Sequence, residues 1–182
     1  MINQFKCHIL CHLEGTIGAI FHAASSKLQK LDVILEFYLQ FLNLDNKFNL
    51  LDFNMAPLKT RRNIAMLGFI HKVVLKEVHD DIIRLLPLAN DVLDKRSRLQ
   101  QQRHDKQLFD RCDGRQSTLL HNSIFGLVRI YNCLPQKAVD QTTVSAFQSY
   151  LTSMVKEWCK THDNFADMFC PRTNPSVPLL TV

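Results

Sequence analysis

The stretch Met55–His79, with the sequence M-A-P-L-K-T-R-R-N-I-A-M-L-G-F-I-H-K-V-V-L-K-E-V-H, decides the fold. At 100° per residue its polar residues fall on one narrow stripe of a helix, and its apolar residues cover most of the remaining surface. The stripe consists of Arg61, Gly68, Lys72, Lys76 and His79. A helix that is apolar on most sides must be covered by other helices. We therefore predict one long, largely buried helix that begins at Pro57, because proline is favoured at the first helical position.

Gly68 lies in the middle of this predicted helix. A glycine in a helix interior costs about 1 kcal/mol relative to alanine. We therefore expect that another backbone approaches the helix closely at Gly68. The composition of the whole stretch indicates packing rather than chemistry.

A second predicted helix precedes the central one, from Lys27 to Leu42. Its apolar residues repeat at intervals of three and four, which predicts a wide buried face. Ser26 and Gln29 fit a capping box, in which Ser26 accepts a hydrogen bond from a free backbone N–H and Gln29 reaches back to Ser26.

Two more helices are predicted in the C-terminal half of the chain. Ser123 is suited to cap a helix that Leu134-Pro135 ends, and Thr142 or Thr143 begins a clean amphipathic helix. Signals for strands, which alternate with a period of two, are nearly absent. The sequence thus predicts an all-α fold, an irregular bundle of about five to six helices with a long basic loop and a disordered C-terminal tail.

The composition of the chain divides it into three parts. Residues 1–22 form an apolar N-terminal segment, which we expect to be the truncated beginning of something larger. Residues 23–160 form the helical domain, within which residues 88–115 lose the apolar period and predict a long exposed connection. Residues 161–182 contain three prolines and predict a tail.

The overall composition favours a soluble intracellular protein, nuclear or cytoplasmic. No stretch reaches the 18 or so uncharged apolar residues of a membrane helix, and the N-terminal segment makes a poor signal peptide, so we expect no membrane partner. The six cysteines show no spacing typical of a disulfide framework, which favours a reducing compartment. The net charge of +5 permits binding to nucleic acid, but it favours an ordinary solvated surface with a slight excess of lysine and arginine.

Contact with RNA or DNA through phosphate groups is the first binding hypothesis, because clustered cations suffice for it. The candidate residues are Arg61, Arg62, Lys72, Lys95, Arg96, Arg98, Arg103 and Lys106. The basic run also carries four aspartates and few aromatic residues, which gives little support for stacking on single strands and favours a solvated loop. Arg61 and Arg62 can instead hold acidic residues of a neighbouring helix.

Motifs for metal binding and catalysis are weak. Cys7-His8 and Cys11-His12 form C-H-x-x-C-H, but two parallel rows on one helix converge poorly on a tetrahedral ion. The residues Cys159, His162 and Cys170 lack a fourth ligand. No motif of a nucleophilic hydrolase, a phosphate-binding loop or a zinc protease is present in the sequence. We expect no metal, no cofactor and no independent enzymatic activity.

Three stretches combine into an ordered set of motifs. They are L-Q-K-L-D-V-I-L-E-F-Y-L-Q-F-L (Leu28–Leu42), A-P-L-K-T-R-R-N-I-A-M-L-G-F-I-H-K (Ala56–Lys72), and S-I-F-G-L-V-R-I-Y-N-C-L-P followed by V-S-A-F-Q-S-Y-L (within Ser123–Leu151). In this order and spacing the set resembles the region after the polymerase domain in non-LTR (LINE-like) retrotransposon reverse transcriptases. The resemblance covers about residues 15–152.

The resemblance implies a non-catalytic C-terminal piece of an RNA-directed DNA polymerase, at most an accessory module that binds nucleic acid. Such polymerases use a pair of metal-binding aspartates, because two-metal phosphoryl transfer requires clustered carboxylates. Phe165-Ala166-Asp167-Met168 echoes that motif but lacks the second aspartate and lies outside the matched region.

A helical module for protein–protein interaction, without a nucleic-acid role, is the alternative function. The wide apolar faces of Lys27–Leu42 and Pro57–Val78 favour it, since such faces require a covering partner. The expected partners are the polymerase domain of the parent protein or another helical protein.

Overall fold

The computed structural model describes residues 2–44, 46–92, 103–110, 120, 123–162 and 169. Over these ranges the chain is all-α, as predicted; it contains no strand there, and Leu88 and Leu108 form an isolated antiparallel bridge. Five described helices have eight residues or more, in agreement with the predicted five to six. The helices are α1 (Ile2–Phe5), a π-helical segment (Lys6–Leu10), α2 (Cys11–Gly15), α3 (Ile17–Ile20), α4 (Ser25–Phe41), α5 (Asn46–Phe53), α6 (Leu58–Val74), α7 (Asp80–Leu85), α8 (Ala89–Val92), α9 (Ile124–Asn132), α10 (Gln136–Val139) and α11 (Val144–Thr161).

The central helix α6 is shorter than the predicted helix over Met55–His79. It begins at Leu58, so that Pro57 is the N-cap residue rather than the first helical residue. Most of its side chains are buried, and Leu67 and Ile70 are 0% exposed. The prediction of a largely buried central helix is therefore confirmed, although the helix begins later and ends earlier than predicted.

A Schellman motif ends α6. Lys76 adopts a left-handed backbone conformation with φ of 60°. The N–H of Lys76 donates to the carbonyl of Val73 (2.9 Å), and the N–H of Glu77 donates to the carbonyl of Lys72 (3.0 Å). These bonds satisfy carbonyl groups that the helix end would otherwise leave free. The last residues of the predicted helix consequently lie beyond its end.

Gly68 is a point of close approach, but a side chain rather than a backbone comes near it. A Cβ atom at position 68 would lie 2.3 Å from Nε2 and 3.0 Å from Cγ of Gln148, which belongs to α11. Glycine at this position thus lets α11 pack against α6 with a glutamine between them.

The main core lies where α6 packs against α9 and α11. Its most deeply buried side chains, each 0% exposed, include Leu67, Ile70, Tyr131, Phe147 and Leu151. We call α6 to α11, together with residues 103–110, the main body.

Helices α1 to α5, residues 2–53, form a second unit that we call the N-terminal layer. Its helices bury a smaller core with the start of the main body, made of Phe5, Leu10, Leu35, Leu39, Met55 and Leu58. The ring of Phe5 stacks on that of Tyr38, with centroids 3.9 Å apart. Residues 2–20 are therefore packed helices, whereas the sequence predicted only an apolar segment separate from the helical domain.

The predicted N-caps of the C-terminal half are confirmed, and the predicted capping box is wrong. Ser123 accepts a hydrogen bond from the N–H of Phe125 (3.2 Å), and Thr143 accepts one from the N–H of Ala146 (3.2 Å). Helix α4 begins at Ser25, two residues earlier than the capping box at Ser26 requires, and its N-cap residue Ala24 makes no side-chain hydrogen bond.

The predicted exposed connection 88–115 is wrong for its described residues 103–110. Leu108 and His104 are 2% and 3% exposed. Asn132 explains this burial, because its side chain accepts from the N–H of Leu108 (2.8 Å) and donates to the carbonyl of Leu108 (2.8 Å). The side-chain amide of Asn132, the last residue of α9, thus pairs with the backbone N–H and carbonyl of Leu108 and holds the segment against the end of α9.

The predicted C-terminal tail lies almost entirely outside the described residues. Of the range 161–182 the structure describes Thr161, His162 and Phe169. Phe169 is 2% exposed and belongs to the main core. Within the predicted tail, Phe169 therefore packs against the main core.

Candidate interaction surface

Arg62, predicted to contact phosphate groups, makes a bidentate ion pair inside the molecule. Its Nη1 and Nη2 atoms lie 2.7 and 2.9 Å from the two carboxylate oxygens of Asp32. The Arg62 side chain is 6% exposed and that of Asp32 is 23% exposed. Because Asp32 belongs to α4 and Arg62 to α6, this pair joins the N-terminal layer to the main body.

Arg61 makes a second ion pair between the same two units, with the carboxylate of Glu14 in α2. Its Nη1 also donates to the carbonyl of Asn54 (3.0 Å). Two adjacent residues of α6 therefore reach acidic residues on two different helices. Both arginines are engaged as the alternative interpretation of the sequence proposed, and their contact with nucleic acid stays a prediction.

Two further predicted cations lie at helix ends. Nζ of Lys106 donates to the carbonyl of Val139 (2.8 Å), the last residue of α10, and Nη1 of Arg103 lies 3.4 Å from the carbonyl of Cys133, the C-cap residue of α9. Cations are favourable there because helix C-termini carry partial negative charge.

The other four predicted cations form no cluster among the described residues. Lys72 is exposed on α6. Lys95, Arg96 and Arg98 lie outside the described residues. The structure consequently does not bring the eight predicted residues together on one described surface.

A buried polar network lies in the main core around His71, which is 0% exposed. Its Nε2 lies 2.8 Å from the carbonyl of Gln141, and its Nδ1 lies 3.0 Å from the hydroxyl of Tyr131. Because a carbonyl oxygen can only accept, Nε2–H donates to Gln141 and Nδ1 accepts from Tyr131. The imidazole also stacks on Phe147, with centroids 4.2 Å apart. Both ring nitrogens are thereby satisfied in the neutral form.

Burial lowers the pKa of His71, and the hydrogen bond to the carbonyl of Gln141 opposes this effect. The charge of Lys106 lowers the pKa further, whereas that of Glu77 raises it. Burial also raises the pKa of Tyr131. These shifts keep both groups neutral, as a packed core requires.

His104 makes a second buried imidazole contact with the same tyrosine residue. Its Nε2 donates to the backbone carbonyl of Tyr131 (3.1 Å), and its Nδ1 accepts from the N–H of Lys106 (3.2 Å). Burial is the main cause that lowers the pKa of His104. The sequence predicted that His104 lies in an exposed loop, so its buried role was missed. Residues 103–110 form no helix and pair with no strand, so no apolar period in the sequence could reveal that they are buried.

The cysteine and histidine motifs do not form a metal site in the described part of the chain. Cys7, His8, Cys11 and His12 are all exposed, and the thiol of Cys11 donates to the carbonyl of Cys7. Among the described residues, no group of three or more potential ligands could hold a metal ion.

The residues of the second cysteine motif, Cys159, His162 and Cys170, do not share one environment. Cys159 is buried in the main core, whereas His162 is exposed and stacks on Trp158 with centroids 3.7 Å apart. Cys170, the third member, and the motif Phe165–Met168 lie outside the described residues.

An exposed apolar stripe runs along α4 on the side opposite to its buried residues Leu35 and Leu39. Phe37 and Phe41 are 72% and 70% exposed, and the neighbouring Ile34 is 44% exposed. At 100° per residue these three residues lie within about 60° of one another. We call Ile34, Phe37 and Phe41 the outer stripe.

The apolar residues of α4 predicted one wide face, and the outer stripe was missed as a separate surface. A helical wheel does contain the signal, because Phe37 and Phe41 point away from the side that Leu35 and Leu39 bury. A helical wheel does not show, however, which of these two apolar sides other helices cover. The predicted apolar face of Pro57–Val78, by contrast, is covered within the chain.

A separate apolar groove of about 520 Å³ lies between α3, α6, α7 and the start of α9. Its lining is mostly apolar and includes Met66, Phe69 and Leu85, and Leu85 is 51% exposed. Glu14 and His22 are the ionisable residues that line it. The groove is distinct from the outer stripe, which contributes no residue to it.

Comparisons with known proteins found no match to the chain. No protein-family model matches the chain, and no significant match was found among curated proteins or solved structures. Within the described residues, no helix combines the length and the apolar character that crossing a bilayer requires.

Proposed function

We propose that the chain is a non-catalytic helical interaction module, of the kind that follows the polymerase domain in non-LTR reverse transcriptases. The observation that carries the proposal is the outer stripe on α4. Two phenylalanines with about 70% of their surface in water are unusual for an isolated helix face, and exposed apolar patches mark sites of association. The function is therefore to bind a protein surface through α4.

The contacts between the three resembling stretches support the proposed origin. Asp32 of the first stretch pairs with Arg62 of the second. His71 of the second stretch bonds Tyr131 and stacks on Phe147, both of the third. The residues that carry the resemblance thus hold helices together, which fits a set of motifs that specifies a scaffold.

The same contacts support a non-catalytic role. His71 and His104, the buried imidazoles of the described chain, have both nitrogens engaged by the protein itself. General acid–base catalysis requires an imidazole within reach of substrate. We expect no polymerase or nuclease activity from the purified chain, and processive DNA synthesis on a primed RNA template would contradict this.

A titration with a polymerase domain tests the proposed interaction. The probe is the isolated polymerase domain of a non-LTR reverse transcriptase, and sedimentation velocity measures the complex. We expect Phe37→Glu to weaken binding at least tenfold, because it places a carboxylate in an apolar contact. Leu85→Glu is the matched control, since it changes an exposed apolar residue of the separate groove. Equal effects of the two variants would contradict the proposal, and so would an unaltered chain that associates neither with the polymerase domain nor with another copy of itself.

Binding of nucleic acid is the second candidate, and the exposed Lys72 together with the basic run of the sequence favours it. A titration with RNA at two salt concentrations tests it, because phosphate contacts release counterions and weaken steeply with salt. We expect Lys72→Ala to reduce the slope of the logarithm of the RNA affinity against the logarithm of the salt concentration by about 1, the loss of one phosphate contact. Affinity that does not change with salt would remove this candidate.

A further inference from the structure

The outer stripe has the spacing of a helix–helix seam. Lys30, Ile34, Phe37 and Phe41 follow one another at intervals of four, three and four residues. Successive intervals of three and four keep residues on one side of a helix and are typical of the contact line between two packed helices. Lys30 is exposed, and it continues the stripe toward the start of α4.

We propose that the outer stripe binds the outer stripe of a second copy of the chain, with the two α4 helices antiparallel. This inference rests on the proposed function as an interaction module, because it names the partner of the same surface. A contact of one patch with itself is the arrangement that a two-fold symmetric dimer requires.

The order of residues along the stripe is self-complementary in the antiparallel orientation. A two-fold axis midway between Ile34 and Phe37 places Ile34 of one copy against Phe37 of the other. The same axis places Lys30 against Phe41, at both ends of the contact. Apolar residues then meet at the centre, and an ammonium group can lie over an aromatic ring at each end, a cation–π contact.

The charges of α4 favour this orientation over the parallel one. Lys27 and Lys30 lie near the N-terminus of α4, the first turn contains no acidic residue, and the last turn contains no basic residue. A parallel pair would bring the lysines of both copies together. An antiparallel pair separates Lys30 of the two copies by about 16 Å along the axis, the rise of 11 residues. It also brings each lysine to the negative C-terminal end of the partner's helix.

The small area of the stripe predicts a weak dimer. The apolar centre consists of three side chains per copy, with Val33 at 51% exposure beside them. Stable protein interfaces bury about 800 Å² per partner, and a stripe this narrow covers less. We therefore expect exchange between monomer and dimer in the micromolar to millimolar range rather than an obligate dimer.

Sedimentation equilibrium of the full chain over this concentration range tests the association. We expect Phe37→Glu to raise the dissociation constant at least tenfold and Leu85→Glu to leave it unchanged. Thermal unfolding checks that both variants remain folded, which their exposed positions favour. A monomer at all concentrations, or a dimer that Phe37→Glu does not weaken, would overturn the inference.

Two substitutions of one residue test the orientation. In the antiparallel dimer position 41 faces Lys30 of the other copy, so Phe41→Lys should weaken the dimer at least tenfold more than Phe41→Glu. Adding Lys30→Glu to Phe41→Lys should restore association, because opposite charges then face each other. In a parallel dimer position 41 faces itself, and equal effects of Phe41→Lys and Phe41→Glu would overturn the antiparallel arrangement.

The polymerase-domain titration separates this inference from the proposed function. If the chain sediments as a monomer but binds the polymerase domain in a manner that Phe37→Glu weakens, the second copy is the wrong partner and the interaction module stands. If neither association occurs, both the inference and the proposed function fall.

Discussion

The main body and the N-terminal layer are both helical, yet different contacts stabilise them. The main body buries large side chains completely and fixes them with a polar network around His71. The N-terminal layer buries a smaller core, is joined to α6 by the ion pairs of Arg61 and Arg62, and leaves Phe37 and Phe41 in water. The difference shows that the larger core and the buried polar network lie in the main body, while the N-terminal layer leaves apolar side chains exposed.

Truncation of one core phenylalanine in each unit should give the largest effect and the sharpest contrast. Phe147→Ala removes a ring that is 0% exposed and stacks on His71, so we expect a loss of about 3–5 kcal/mol in the free energy of unfolding. Phe5→Ala should cost less, because the smaller core around it can relax. Urea denaturation followed by circular dichroism measures both. Equal losses would show that the two units are equally well packed.

The ion pairs between the two units should give the next largest effect. Arg62→Ala leaves Asp32 partly buried without its partner, and we expect a loss of about 2–3 kcal/mol, below the value for fully buried pairs because Asp32 is 23% exposed. Arg61→Ala is the matched control; its pair with Glu14 is more exposed, and a loss below about 1 kcal/mol is expected.

A double-mutant cycle isolates the contribution of the buried pair. If Arg62 and Asp32 stabilise each other, Asp32→Ala should cost little once Arg62→Ala is present, which leaves a coupling energy of about 1–3 kcal/mol. Additive losses would mean that Arg62 and Asp32 do not stabilise each other.

Acid should weaken the main body before it weakens the N-terminal layer. The pKa values of His71 and His104 are lowered in the folded chain, mainly by burial, so the unfolded chain binds more protons near pH 6. Their contribution to stability is fully present above the unfolded value of about 6.5 and is lost as the pH falls below it toward the folded values.

Unfolding free energies between pH 7.5 and 5 and an NMR titration of the imidazole signals measure this effect. We expect stability to fall across this range, and the signals of both buried histidines to titrate below the usual histidine pKa of about 6.5. Carboxylates with ordinary pKa values titrate mainly below pH 5, which separates their effect. Constant stability across the range would contradict the neutral state of the buried network.

Two residues with left-handed backbone should give the smallest effect. Lys76 ends α6 and Asn43 follows α4, with φ of 60° and 52°. Lys76→Gly should stabilise the chain by about 0.5–1 kcal/mol, because a lysine side chain strains this conformation and glycine does not. Asn43→Gly should gain less, since asparagine tolerates it better. Thermal unfolding compares the two, and a destabilised Lys76→Gly variant would contradict the assigned strain.

Local patterns in the sequence predicted most of the fold. The apolar period predicted α4, α6, α9 and α11. N-caps act within three residues, so Ser123 identified one helix start, and a second was narrowed to Thr142 or Thr143, of which Thr143 is the cap. The end of α6 could not be predicted from period alone, since Lys76 is not a residue that commonly marks a left-handed helix end.

The candidate surface was harder to predict because it depends on tertiary partners. Nothing local distinguishes Arg62, which binds Asp32 from 30 residues away, from a cation that faces solvent. Phe37 and Leu35 are equally apolar neighbours on α4, yet one is exposed and the other buried. Which side of a doubly apolar helix is covered depends on how the rest of the chain packs against it.

The bridge between Leu88 and Leu108 joins the part of the chain that ends with α8 to the part that begins with residue 103. Hydrogen bonds from Ala89 to Gln107 (2.8 Å) and from Phe109 to Pro87 (2.9 Å) hold the ends of the intervening chain together. These two bonds tie residues 87–89 to residues 107–109, so the described chain before the connection contacts the described chain after it. Because the bridge closes a loop between the two parts of the chain, fewer arrangements remain by which α9 and α11 can come to pack against α6.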